Sequence, residues 1–150
     1  MIKIYIFVDS YKIYEKAIIE YEKRLWKNIE IIKVKPFKNS NPDLVIQKET
    51  EILEKILQKE KSFKIILSPN WKQFATMEFY KFIEEKKQNF WKISFFIGWA
   101  NWLNYKKLKQ YSDLELSLSK FTFPHSLALL ILIEQIYRLF MINKGTLYHK

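Results

Sequence analysis

Phe63-Lys64-Ile65-Ile66-Leu67-Ser68 and, further on, Ile93-Ser94-Phe95-Phe96-Ile97 are short apolar runs bounded by turn residues, with the helical stretch Thr76 to Lys87 between them. Continuous runs of this kind suit strands covered on both faces, the situation of central strands in a parallel sheet. The pattern extends outward in both directions. Toward the N-terminus, Ile2 to Val8 alternates as a first strand. Ile13, Tyr14, Ala17, Ile18, Tyr21 and Leu25 then recur at the spacing of an amphipathic helix. Ile29 to Lys35 reads as a second strand, and Ser40-Asn41-Pro42 signals entry into a helix striped by Val45, Ile52, Leu53, Ile56 and Leu57.

Toward the C-terminus a polar-aromatic loop follows Gly98, then a short helical piece from Tyr105 to Tyr111 and a fifth strand at Leu114 to Leu118. Pro124 opens a long helix to Asn143, ended by Gly145. Strands alternating with helices over one domain, residues 1–150, define an α/β fold with a mainly parallel sheet. In such sheets ligands bind beyond the carboxyl ends of the strands, here the loops after Leu67, Ile97 and Leu118. Glu84-Glu85-Lys86-Lys87 reads as a solvated helix face.

The 150 residues, 49% hydrophobic and 17% aromatic, can fill one sizeable core. Cysteine is absent and there are two histidines, His125 and His149, which excludes disulfides, thiolate chemistry and a histidine-built metal site. The longest aliphatic run, Leu127 to Ile133, falls far short of a bilayer span, so a soluble, cytoplasmic protein is expected. The net charge of +10 suits a polyanion such as RNA. It follows equally from lysine-rich codon bias, because Arg24 and Arg138 are the only arginines.

The segment Phe121-Thr122-Phe123-Pro124-His125-Ser126-Leu127, continuing through Ile133-Glu134-Gln135-Ile136-Tyr137-Arg138 to Ile142-Asn143-Lys144-Gly145 and ending Tyr148-His149-Lys150, resembles the C-terminus of the ribosomal RNA large subunit methyltransferase H family. Weaker agreement covers Glu20-Tyr21 through Lys23-Arg24, Leu67 with Lys72, and Phe96-Ile97-Gly98. The resemblance implies a SPOUT-type α/β knot: a mainly parallel sheet of five to six strands with helices on both faces, a C-terminal trefoil knot, and a homodimer. It also implies S-adenosyl-L-methionine (SAM) as methyl donor and N3 of a pseudouridine in 23S rRNA of the ribosome as acceptor. The family's cofactor loops correspond to Leu67, to Gly98 and Trp99, and to Leu118, Ser119, Lys120, Phe121, Thr122, Phe123 and Pro124.

Transfer to N3 needs an in-line nucleophile freed of its imide proton, hence a base or an anion stabiliser and tight positioning. By resemblance Arg138, Tyr148 and His149 lie near the acceptor, the tail acting across the dimer interface. An imidazole near its unshifted pKa suits proton transfer, a tyrosine offers a face to a splayed base, and an arginine can hold a phosphate or an oxyanion. His125, just after Pro124, reads as a structural histidine satisfied in the first helical turn.

The chain departs from the family at its glycines. Two glycines stand where average usage gives about ten, and there are five tryptophans. Trp99, Trp102 and Trp71 occupy family glycine positions. Trp26 sits where the first helix stops, a place that favours the left-handed conformation, and Trp91 lies in a connection into a strand. One reading accounts for all five: UGA codons that specify glycine in the source organism stand translated as tryptophan. Asp9 and Thr50, at other family glycine positions, are ordinary divergence. If the tryptophans are native, an indole at 99 fills a place where backbone must approach the cofactor, and the rival function is an inactive RNA- or ribosome-binding paralogue. A nucleotide-binding domain of another kind lacks its signature, since neither GxGxxG nor GxxxxGK[ST] occurs.

Overall fold

In the computed structural model, which describes residues 1–98 and 104–149, five strands form one sheet. They are β1 (Ile2–Phe7), β2 (Ile29–Val34), β3 (Phe63–Lys72), β4 (Ile93–Ile97) and β5 (Leu114–Leu116). The order is β2-β1-β4-β3-β5 and every pairing is parallel. The connections carry α1 (Glu15–Arg24), α2 (Pro42–Lys59), α3 (Thr76–Asn89) and the short α4 (Tyr105–Leu108), and α5 (His125–Asn143) closes the fold.

Side chains along a strand alternate between faces, and the sheet sorts them into two cores. Ile2, Ile4 and Ile6 of β1, Ile65 and Leu67 of β3, and Ile93, Phe95 and Ile97 of β4 join the stripes of α1, α3 and α5 in the larger core. Phe7, Ile66 and Phe96 pack on Leu53 and Leu57 of α2 and on Leu108 in the smaller one. Both faces of the central strands are covered, which is why those strands read as continuous apolar runs.

Helix ends follow local chemistry. The side chain of Asn41 accepts the Asp43 N–H at 3.0 Å with Pro42 at the first helical position of α2. Gly145 (φ +67°) ends α5, its N–H donating to the Ile142 carbonyl and that of Thr146 to Met141. The left-handed residue after α1 is Lys27 (φ +68°) and not Trp26, which corrects the expectation from sequence by one position.

β3 runs further than its apolar stretch. Both Leu67 and Lys72 pair with Leu116 of β5, so Ser68 to Trp71 bulge out of the ladder. Pro69 has no N–H to give a neighbouring strand. Its carbonyl accepts the Ser117 hydroxyl at 2.9 Å, and the Ser117 N–H returns to the Lys72 carbonyl at 2.9 Å.

Candidate cofactor and acceptor site

The bulge opens a hollow at the carboxyl ends of β3, β4 and β5. Leu67, Ser68 and Pro69 line it from β3, Ile97 and Gly98 from β4, and Leu118, Ser119, Phe121, Thr122 and Phe123 from the loop after β5. His125 and Ala128 of α5 complete the lining. Apolar walls suit the faces of a purine, the Ser68, Ser119 and Thr122 hydroxyls add polar partners, and Gly98 presents bare backbone at the strand end. The enclosed volume is about 40 Å³, little more than a water needs.

Of the expected cofactor residues, Leu67, Gly98, Leu118, Ser119, Phe121, Thr122 and Phe123 meet at this hollow. Lys120 is exposed and does not line it, and Pro124 borders a neighbouring cavity instead. Trp99 and Trp102 lie outside the described residues. Ser68, Pro69 and Ala128 escaped the sequence reading. The first two follow a recognisable strand end, and Ala128 stands one helical turn beyond Pro124.

His125 is buried, and its Nδ1 lies 2.9 Å from the Phe7 carbonyl, which can only accept; the ring therefore donates from Nδ1. This partner comes from β1, outside the helix that carries the histidine. Burial outweighs that hydrogen bond and holds the imidazole pKa below its ordinary value.

Arg138 and Tyr148 form a separate cluster at the other end of α5. The Arg138 Nε donates to Glu134 Oε1 at 2.7 Å, and its guanidinium stands 5.2 Å from the Tyr148 ring centroid. Tyr148 packs edge-on against Tyr137 at 4.9 Å, and its hydroxyl is 3.4 Å from that of Tyr21. Burial, and then this neighbour, push the Tyr21 phenol up to about 12. Arg24 sits 5.7 Å from the Tyr137 ring, so both arginines of the chain meet the same aromatic patch. His149 belongs to the 3-10 turn Leu147–His149, its side chain lying outside the described part. From His125 to Arg138 the helix rises about 20 Å at ~1.5 Å per residue. The hollow and the tail cluster are thus far apart within one protomer.

The family described as predicted SPOUT methyltransferase matches residues 2–149. A protein of Mycoplasmopsis pulmonis named ribosomal RNA large subunit methyltransferase H is 40% identical over 134 residues, 87% of this chain and 86% of that one. Proteins of the same name from Streptococcus gordonii (38% identical, 93% of this chain and 92% of the relative) and Fusobacterium nucleatum (36%, 89% and 88%) are similar over comparable lengths. The chain belongs to the ribosomal RNA large subunit methyltransferase H family of SPOUT methyltransferases. It is therefore a methyltransferase, and the hollow built by three strand-end loops lies where a parallel sheet binds its ligand.

Three of the five tryptophans are described, and none is buried. Trp26 is 71% exposed, Trp91 93% and Trp71 37%. Trp71, in the bulged end of β3, meets solvent and the Lys109 ammonium, 4.7 Å from its ring. Aromatic side chains of this size normally bury most of their area.

Proposed function

We propose that the protein transfers a methyl group from SAM to N3 of a pseudouridine in 23S rRNA of the ribosome, acting in the cytoplasm as a homodimer with a C-terminal trefoil knot. The observation that carries this reading is the convergence at one hollow of the three loops that correspond to the family's cofactor loops.

SAM, when bound, supplies a methyl on a sulfonium; as the S–CH₃ bond breaks, its electron pair stays on sulfur. Leu67, Ile97, Leu118 and Phe123 would hold the adenine by its faces, with Gly98 admitting the backbone to close range. The N3 lone pair forms the new N–C bond, and the imide proton leaves to a base, the role assigned to His149. Tyr148 and Arg138 would orient the base and stabilise its developing oxyanion. The Glu134 carboxylate fixes the Arg138 side chain for that task.

The homodimer accounts for the 20 Å gap. α5 is strongly apolar, and the face carrying Leu129, Leu132, Ile133, Ile136 and Leu139 is its buried one. Leu127, Ile131 and Met141 share the opposite stripe with Glu134 and Arg138 and are partly exposed, an apolar surface that a second copy of the helix can cover. A two-fold axis near the helix middle pairs two α5 helices antiparallel. The partner's Arg138 and Tyr148 then arrive beside the first protomer's hollow.

Two inactive variants decide it. Arg138→Ala and a variant blocked in the hollow, Ala128→Trp, are mixed after partial unfolding and refolding. Recovery of about a quarter of the wild-type activity supports sites shared between protomers. No recovery, with mixed dimers present by mass spectrometry, places both clusters in one protomer.

A further inference from the structure

Beside the cofactor hollow lies a larger cavity of about 670 Å³, the size of a small-molecule site. The two share His125, and the larger one also takes in Pro124 and Ser126, so its contents adjoin those of the hollow. Its walls are mainly apolar and aromatic: Phe7 at the end of β1, Ile13 and Tyr14 of the 3-10 turn before α1, Phe37 between β2 and α2, and Val45 of α2. Polar side chains also line it, Asp9 and Ser10 among them. Glu49, 1% exposed, accepts the Phe37 N–H through Oε1 at 3.0 Å, which ties the 36–38 loop to α2. Burial holds this carboxyl above the ordinary carboxylate range. A carboxyl group accepts from an N–H, and a hydroxyl such as that of Ser126 both donates and accepts, so the pair can read ring groups of a base other than the reacting N3. Two cations line the cavity: Lys12, in the left-handed region at φ +52°, and Lys38, whose Nζ is 2.6 Å from Asp9 Oδ2.

We propose that this cavity receives the acceptor nucleotide, a single pyrimidine turned out of its RNA, with Tyr14 and Phe37 as stacking walls, Glu49 and Ser126 reading the base edge, and Lys12 and Lys38 meeting the flanking phosphates. Aromatic walls and lysines together are the means by which proteins hold unstacked bases. The shared wall at His125 sets this cavity next to the hollow, which favours an acceptor over an unrelated metabolite, because methyl donor and acceptor must lie side by side. The inference rests on the methyl-transfer reading above and deepens it.

The test uses the full-length protein and ribosomes that lack the modification. Val45→Trp fills the cavity and Lys38→Glu reverses a charge on an exposed side chain, giving up its surface ion pair with Asp9. Lys61→Glu, at the amino end of β3, is the control. Methyl transfer, SAM affinity by calorimetry and mass in solution are measured for each. V45W and K38E are each expected to lower kcat/KM for ribosomes about ten-fold or more, with SAM affinity and mass unchanged and K61E like wild type. Undiminished transfer by V45W overturns the proposal. So does a parallel loss of SAM affinity, which would make the cavity part of the cofactor site, or a fall in mass, which would make its occupant a second copy of the chain. If the wild type itself binds ribosomes without transferring a methyl, the methyl-transfer reading fails separately. The cavity is then judged on ribosome affinity, and V45W binding as tightly as wild type overturns it.

Discussion

The positions of the tryptophans are the residue-scale feature with the largest consequence. Trp26 and Trp91 expose most of their surface and bury little, as follows if glycine is the native residue, while Trp71 buries more than half of its own. Reading the gene decides between the two: five TGA codons are expected, and five TGG codons refute recoding. The biochemical counterpart is a protein with glycine at 26, 71, 91, 99 and 102, expected to bind SAM about ten-fold or more tightly than the all-tryptophan form. Equal affinity contradicts the account. His125 gives a second prediction at this scale. Its folded pKa lies below the unfolded value near 6.5. Above that pH both states are neutral. As pH falls below it the unfolded chain takes up a proton that the buried ring refuses, so stability is lost on acidification. Thermal unfolding between pH 7.5 and 5 should therefore show a smaller drop in Tm for H125N, whose amide keeps a donor for the Phe7 carbonyl. An identical drop removes His125 as the cause.

Among the elements, α5 does most to join stability to function, since its first turn lines both cavities and its last turns hold Arg138. Ile136, fully buried in the larger core, should cost about 2–5 kcal/mol when cut to alanine, measured by urea unfolding. A cost below ~1 kcal/mol would mean that this helix is not packed as described. Sequence periodicity found every one of the five strands because each is either alternating or continuously apolar, and Gly145 and Pro42 marked helix ends through their backbone chemistry. It stopped β3 at Ser68, because the bulge to Lys72 is set by what Ser117 offers across the gap, not by any local preference. Lys27 took the left-handed place after α1 for a similar reason: hydrogen bonds from the Leu25, Trp26 and Asn28 amides fix the turn.

For the whole molecule, the cofactor loops were legible because each follows a strand end. The larger cavity was not. Phe7, Phe37, Val45 and Ser126 are brought together from distant parts of the chain and carry no motif, so only the sheet order assembles them. The charge was ambiguous for a related reason, since composition cannot say where lysines gather; Lys12 and Lys38 acquire meaning only beside a cavity. At this scale salt is the lever. Because counterion release accompanies phosphate contacts, ribosome affinity of wild type should fall with rising salt, and K38E should fall less steeply. Equal slopes would remove Lys38 from the RNA-facing surface. The most direct measurement of the central claim is transfer of a labelled methyl from SAM to ribosomes of a strain lacking this gene, using the glycine-bearing protein. The account predicts about one methyl per ribosome, on N3 of one pseudouridine of 23S rRNA. No incorporation, or a methyl on any other atom, would contradict it.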